Sequence, residues 1–184
     1  MTTVTRDEIL DFVTYREQRA TYRRDILAIK RDRRIHVGPY ITFLFENHET
    51  IRYQIQEMML HERIVREADI RHEMDTYNEL LGGPGELGCT LLIEIDDVEA
   101  RQVKLVRWKN LNESLYALLE NGEKIKPSWD ARQVGDERLS SVQYLKFNTH
   151  GQVPVAFGCD FDDPEVAAEV QLTPEQRSAL ARDL

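Results

Sequence analysis

The segment LLGGPGELGCTLLIEI (residues 80–95) joins two parts of the chain that have different hydrophobic patterns, and it decides which fold class the sequence can adopt. Before it, residues 60–80 are rich in helix-forming residues and lack the alternation of a strand, which predicts a helix. After it, Leu91, Ile93 and Ile95 alternate with other residues and predict a strand with one buried face. The chain therefore passes from a helix, through glycines, into a strand.

The glycines of this segment have the G-x-G-x-x-G spacing of dinucleotide-binding proteins (Gly83, Gly85 and Gly88). That motif binds pyrophosphate only when a strand precedes it and a helix follows, because N–H groups at the helix N-terminus hold the anion. Here the order is reversed, Pro84 lacks an N–H group, and Glu86 adds negative charge. We therefore interpret the glycines as a helix C-cap, in which Gly82 or Gly83 takes the left-handed conformation, and we expect no cofactor.

Two helices are predicted on the N-terminal side of the glycines. Thr5 and Glu8 have the spacing of a capping box, which predicts a long helix that runs to about residue 32. In the second helix, residues 60–80, the apolar positions change sides along the segment. A break or bend near Asp69 would explain that change.

A period-two pattern lies between these helices. Residues 40–46 and 51–58 each alternate in this way, and the polar residues 47–50 separate them. The pattern predicts an antiparallel hairpin whose buried face contains Ile51, Tyr53 and Ile55.

The C-terminal half contains further short elements. Residues 97–112 predict a helix, with Val98, Val103, Val106 and Leu111 among its apolar positions. Asn121-Gly122, between two extended runs, predicts a hairpin, and residues 141–147 and 154–158 predict strands. Thr173 and Pro174 have the pattern that begins a helix.

These elements predict an α+β fold in a single domain, residues 1–184, with an antiparallel sheet, a long N-terminal helix and a second helix packed on the sheet. Its parts are an N-terminal helix (1–33), a sheet with inserted helices (34–172) and a C-terminal helix (173–184). A length of 184 residues suits one domain, and 41% apolar with 31% charged residues is typical of a folded globular protein.

The composition also predicts a compartment. No apolar run approaches the roughly 20 residues that cross a bilayer, and the N-terminus lacks the apolar core of a signal peptide. We expect a cytoplasmic protein. Cys89 and Cys159 have no neighbouring Cys or His at metal-ligand spacing, so we expect two reduced thiols and no zinc site.

Charge is distributed unevenly along the chain, whose net charge is −9. Residues 16–34 contain eight basic and three acidic residues, whereas residues 160–184 contain seven acidic and two basic ones. The basic segment predicts either a solvated helix or a surface for a protein partner. Its candidate residues are Arg16, Arg19, Arg23, Arg24, Arg31 and Arg34. The negative total and the absence of a recognisable motif argue against a nucleic-acid partner, and we expect no membrane association.

A second candidate site is a polar pocket. If the strand from Ile51 keeps its alternation, Glu57 points to the buried face and needs a partner or a raised pKa; alternatively the strand ends at Gln56. A polar run follows near the helix bend, and it could line a pocket with Glu57 or form caps and connector contacts. That run contains His72, Glu73, Asp75, Tyr77 and Asn78.

A metal site receives less support from the residues. Asp69, His72 and Glu73 are spaced i, i+3, i+4 and could meet one ion, but a solvated or salt-bridged helix face has the same spacing. The H-E-x-x-H motif is absent, so we assign no metal ligand.

The residues described above also resemble a known family. The segments FLFENHETIRYQIQEMMLHERI, HEMDTYNELLGGPGELGCTLLIEI and SSVQYLKF are similar to those of an uncharacterised bacterial family, domain of unknown function 3501. The resemblance extends from the N-terminal helix to the C-terminal segment and transfers no catalytic residue. It implies a genomic context of rubrerythrin and a cysteine-rich iron–sulfur oxidoreductase, and hence a role in redox or peroxide defence.

Two hypotheses about function follow. The first is a non-catalytic accessory protein that uses the basic helix to bind an iron–sulfur oxidoreductase or rubrerythrin-like partner. Any redox centre would belong to that partner, because this chain lacks cluster cysteines and paired Glu-x-x-His helices. The alternative is a small-molecule- or metal-binding enzyme that uses the pocket around residues 57 and 72–78.

Overall fold

The computed structural model of the chain describes residues 2–130, 135 and 137–184. Within those residues, the helices are α1 (Phe12–Arg31), α2 (His48–Glu62), α3 (Glu67–Asn78), α4 (Val98–Arg107) and α5 (Pro174–Ala181). The strands are β1 (Arg34–Val37), β2 (Ile41–Phe45), β3 (Glu86–Ile93), β4 (Leu115–Leu118), β5 (Lys124–Ile125), β6 (Val142–Asn148), β7 (Ala156–Cys159) and β8 (Ala168–Gln171). Short 3₁₀ turns occur at Arg6–Glu8 and Leu111–Ser114. The α+β class is therefore confirmed.

The strands form two antiparallel sheets rather than the one that the sequence predicted. The first sheet has the order β1-β2-β3-β6, and the second has the order β5-β4-β7-β8. Phe43 and Phe45 of β2 contact Phe157 of β7, with ring centroids 5.4 and 4.7 Å apart, so the two sheets face each other across the main core. All five residues of β2 are buried, because helices cover the other face of that strand. We call this second side the helical face of the first sheet.

The predicted hairpin of residues 40–46 and 51–58 is wrong, since the second run lies within α2. Asn47 caps this helix: its side chain accepts a hydrogen bond from the Thr50 N–H, while the Thr50 hydroxyl accepts one from the Asn47 N–H. Ile51 and Ile55 satisfy both a period of two and the i, i+4 spacing of a helix, so the run by itself is ambiguous. β2 pairs instead with β1, through a turn in which Gly38 has a φ of 62°.

The N-terminal helices also differ in detail from the prediction. Thr5 and Glu8 do form a capping box, but it closes the 3₁₀ turn, and α1 begins after Asp11, which caps it. The predicted helix of residues 60–80 is interrupted, but the break does not lie near Asp69. It lies at Arg63, which has a φ of 55° and ends α2. The main helical contacts are those of α1 and α3 with α2.

The glycine segment has the predicted order, because α3 precedes it and β3 follows. The left-handed residue is Gly85, with a φ of 75°, and neither Gly82 nor Gly83. Gly88 is required for a close approach, since a Cβ there would lie 2.0 Å from the Leu80 carbonyl oxygen. The Gly83 N–H donates to the Glu86 carboxylate, which further disfavours phosphate binding at this loop.

The C-terminal elements largely follow the sequence. The Asn121-Gly122 turn joins β4 to β5, and Thr173 caps α5. In α4, however, Val98 and Val103 are more than half exposed, and Leu105 faces the core instead. Among the helices of the described residues, none is long and apolar enough to span a bilayer.

Candidate functional site

The basic segment places a mixed apolar and cationic surface on α1. The exposed side of this helix also carries Glu17 and Asp25, and the residues that define its outer face fall within about 100° around the helix axis. We define this outer face of α1 by Val13, Arg16, Arg23, Arg24, Leu27 and Arg31. Val13 is 53% exposed and Leu27 is 54% exposed, whereas Tyr15 and Ile26 on the opposite side are buried. Two apolar side chains are therefore presented to solvent between guanidinium groups.

The six arginines of the predicted partner surface have different neighbours. Arg24, Arg31 and Arg34 form surface ion pairs with Asp25, Asp32 and Glu94, respectively. Arg16 lies over the Phe12 ring, and Arg23 lies close to the Tyr53 hydroxyl. Exposed ion pairs of this kind exchange readily with solvent or with a partner. Arg19 is different, because it points back towards α2.

Arg19 and Tyr15 of α1 bind the carboxylate of Glu57 in α2. The Tyr15 hydroxyl donates to Oε1 at 2.6 Å, while Arg19 donates to both carboxylate oxygens at 2.8 Å. Burial would raise the pKa of Glu57, but the hydrogen bonds from Arg19 and Tyr15 outweigh it and lower that pKa. The sequence left open whether Glu57 is buried; it is buried, but on a helix and not on the predicted strand. We assign this cluster to the packing of α1 on α2.

The polar run that follows is divided among three environments. His72 and Asp75 are exposed and Glu73 is half-buried on α3. Asn78 bonds to both backbone groups of Val4, at 2.8 and 3.0 Å, and so holds the N-terminal segment in place. Tyr77 is half-buried and bonds to Gln54 of α2.

Two other groups of polar side chains, one on α3 and one around Thr42, receive little support as reaction centres. Within the described residues, no three His, Cys, Asp or Glu side chains are grouped to hold a metal ion, so the Asp69, His72 and Glu73 spacing produces no such cluster there. The Thr42 hydroxyl lies 2.8 Å from a His36 ring nitrogen and 2.5 Å from the Glu94 carboxylate. Thr42 is 1% exposed, so a substrate has no access to it.

A buried carboxylate that the sequence analysis did not single out lies on the helical face of the first sheet. Glu46 directly follows β2 and is 7% exposed. Its oxygens accept hydrogen bonds from the hydroxyls of Thr50 in α2, at 2.5 Å, and Thr90 in β3, at 2.7 Å. Both donors are neutral, and within the described part of the chain no Lys, Arg or His side chain forms an ion pair with Glu46.

Glu46 lines a cavity of about 210 Å³ between α2, α3 and the first sheet, which we call the inner cavity. Its walls combine apolar and aromatic groups with a few polar ones. They include Leu44, Ile51, Gln54, Tyr77, Leu80, Leu92, Val142 and Tyr144. A neighbouring cavity of about 370 Å³, the outer cavity, shares Leu80 and Tyr144 with it and is also lined by Trp129.

Of the residues predicted for a pocket, Tyr77 reaches the inner cavity. Glu46 could have been found from alternation, because it has the same parity as Thr42 and Leu44, which face away from the main core. The alternation does not reveal that Glu46 lines a cavity, because the cavity depends on how α2 and α3 cover the sheet.

Comparisons with known proteins agree with this architecture. The family model described as protein of unknown function, DUF3501, matches residues 3–184. A crystal structure of a novel protein of unknown function from Burkholderia pseudomallei K96243 is 28% identical, with a TM-score of 0.89 and coverage of 100% of both chains. The search of curated proteins found no match. Because the family model extends over nearly the whole sequence, the chain belongs to the DUF3501 family of proteins of unknown function.

Proposed function

We propose that this chain is a non-catalytic accessory protein that binds a partner protein through the outer face of α1. The observation that carries the proposal is the pair of half-exposed apolar residues, Val13 and Leu27, set among arginines. Apolar anchors surrounded by charge are typical of surfaces that bind other proteins. The arginines would orient a partner with a complementary acidic surface.

The spacing along α1 suits a helical or grooved partner. Val13, Ala20 and Leu27 are seven residues apart, so they fall on one line along the helix. Arg16, Arg23 and Arg24 lie beside this line and could form ion pairs with carboxylates of the partner. A partner surface with an apolar ridge and flanking acidic residues would match both features.

The identity of the partner rests on the family resemblance. Within a bacterial cytoplasm, we propose an iron–sulfur oxidoreductase or a rubrerythrin-like protein, which would supply the redox centre. The accessory role would then be to recruit or position that enzyme during redox or peroxide defence.

Binding of the purified chain to each of the two host proteins tests this proposal. At low ionic strength we expect a measurable affinity that falls as salt rises from about 0.05 to 0.5 M, because exposed charges are screened. The double variant Arg16→Glu/Arg23→Glu should weaken binding at least about tenfold, as should Leu27→Asp. Arg66→Glu, an exposed charge reversal between α2 and α3, is the matched control and should bind like the wild type. Absence of binding at low salt, or equal binding by all variants, would refute the proposal.

The alternative function is a small-molecule- or metal-binding enzyme, and its candidate site moves from residues 57 and 72–78 to the cavity at Glu46. Glu57 and Asn78 are engaged in packing contacts, but the Glu46 cavity offers a different site. Elemental analysis of the purified protein tests the metal version: stoichiometric metal that is lost in Glu46→Gln would favour it over the accessory role.

A further inference from the structure

The inner cavity contains a buried carboxylate, Glu46, that forms no ion pair with the described residues. Burying a carboxylate is costly unless hydrogen bonds or an opposite charge compensate for the lost water. Glu46 receives one hydroxyl from Thr50 and one from Thr90, so each of its oxygens retains further capacity to accept hydrogen bonds. An ammonium group would supply both the missing charge and the missing donors.

The cation nearest in the fold does not fill this role. Lys30 of α1 also lines the inner cavity, but its ammonium lies over the Tyr53 ring, 5.3 Å from the ring centroid. It forms no ion pair with Glu46 among the described residues. The carboxylate therefore faces a cavity of about 210 Å³.

The walls of the cavity suit the carbon skeleton of an organic cation. Leu44, Leu92 and Val142 provide apolar surface, while Tyr77 and Tyr144 provide rings. Aromatic faces attract ammonium groups, and apolar walls favour a hydrocarbon stem over a fully hydrated ion. The outer cavity shares Leu80 and Tyr144 with the inner cavity, and its lining also contains Glu79, Asp130 and Lys146.

We propose that the inner cavity binds a small primary amine, with its ammonium on Glu46 and its apolar or aromatic stem directed past Leu80 and Tyr144 towards the outer cavity. Glu46 supplies the charge that selects an amine, and the walls select against short, strongly hydrated cations. This site lies on the helical face of the first sheet and does not depend on partner binding by α1.

Isothermal titration calorimetry with phenethylamine as the probe and 3-phenylpropanoate as its anionic counterpart tests the proposal. The amine should bind and the carboxylate should not, because the two share a skeleton and differ in the sign of the charge. Glu46→Gln should weaken amine binding about ten- to a hundredfold, which is the effect of losing a charge-assisted hydrogen bond. Glu120→Gln, an equal charge change at an exposed position after β4, should bind the amine like the wild type.

A second variant guards against misfolding of Glu46→Gln. Val142 is 38% exposed and lines the cavity, so Val142→Trp should block the cavity and abolish amine binding while the carboxylate stays in place. Val103→Trp, at an exposed position of α4, is the size-matched control. No amine binding up to roughly 10 mM, equal binding of the two probes, or wild-type affinity in Val142→Trp would overturn the proposal.

Discussion

Replacing Glu57 by Gln should destabilise the protein by removing the charge that joins α1 to α2. The substitution keeps the size and shape of the side chain, so it tests the charge rather than the packing. In the wild type, the carboxylate accepts one hydrogen bond from Tyr15 and two from Arg19. The Tyr15 side chain is fully buried, so its hydroxyl has no water to replace a weakened partner.

The expected loss is about 2 kcal/mol in the free energy of unfolding. A hydrogen bond to a charged group contributes about 1 kcal/mol more than one between neutral groups, and the buried Tyr15 bond should show the full difference. The contribution of Arg19 is smaller than that of a fully buried ion pair, because 38% of its side chain is exposed and water screens it. For a protein of this size, the change corresponds to a fall of roughly 4–8 °C in Tm.

Urea denaturation followed by circular dichroism measures the loss in the free energy of unfolding. A double-mutant cycle then shows how much of it comes from the hydrogen bond between Tyr15 and Glu57. Tyr15→Phe alone should cost about 2 kcal/mol, and the double variant should cost less than the sum of the single ones, because both changes act on the same hydrogen bond. Asp25→Asn, which removes an exposed ion pair with Arg24, should change stability by less than about 0.5 kcal/mol. A Glu57→Gln variant as stable as Asp25→Asn would refute this account of the α1–α2 contact.

Three further predictions concern pH, backbone packing and thiol reactivity. The lowered pKa of Glu57 stabilises the folded state above the usual value of 4.5, and this contribution is lost as pH falls through the folded pKa. The stability difference between wild type and Glu57→Gln, measured by urea titration, should therefore shrink on acidification; a constant difference would contradict it. Gly88→Ala should cost about 3 kcal/mol or more, because its Cβ would overlap the Leu80 carbonyl, and a near-wild-type urea midpoint would argue against this. Burial raises the pKa of both Cys89 and Cys159, so Ellman's reagent should label them in urea but not in the folded protein.

Several elements could be predicted because their causes are local. The Asn121-Gly122 turn and the cap of α5 at Thr173 depend on residues within a few positions of each other. The order of helix, glycines and strand around residues 80–95 was equally predictable, and it sufficed to argue against a dinucleotide site.

The assignment of α2 failed for a physical reason. Ile51 and Ile55 are four residues apart, and this spacing places them on one face of either a strand or a helix. The continuation to Met59, together with the Asn47 cap, favours the helix. Two apolar residues at this spacing therefore do not distinguish the period of a strand from that of a helix.

By itself, the sequence determined the α+β class and the basic character of α1, and it left open whether Glu57 is buried and needs a partner. Only the tertiary structure decided which partners it has, since Tyr15 and Arg19 are 42 and 38 residues away along the chain. For Glu46, the Thr50 partner is only four residues away, but the Thr90 partner in β3 is 44 residues away. Hydrophobic periodicity and helix caps depend on residues within one or two helical turns of each other. A cavity and the burial of a charge depend instead on how distant elements pack together.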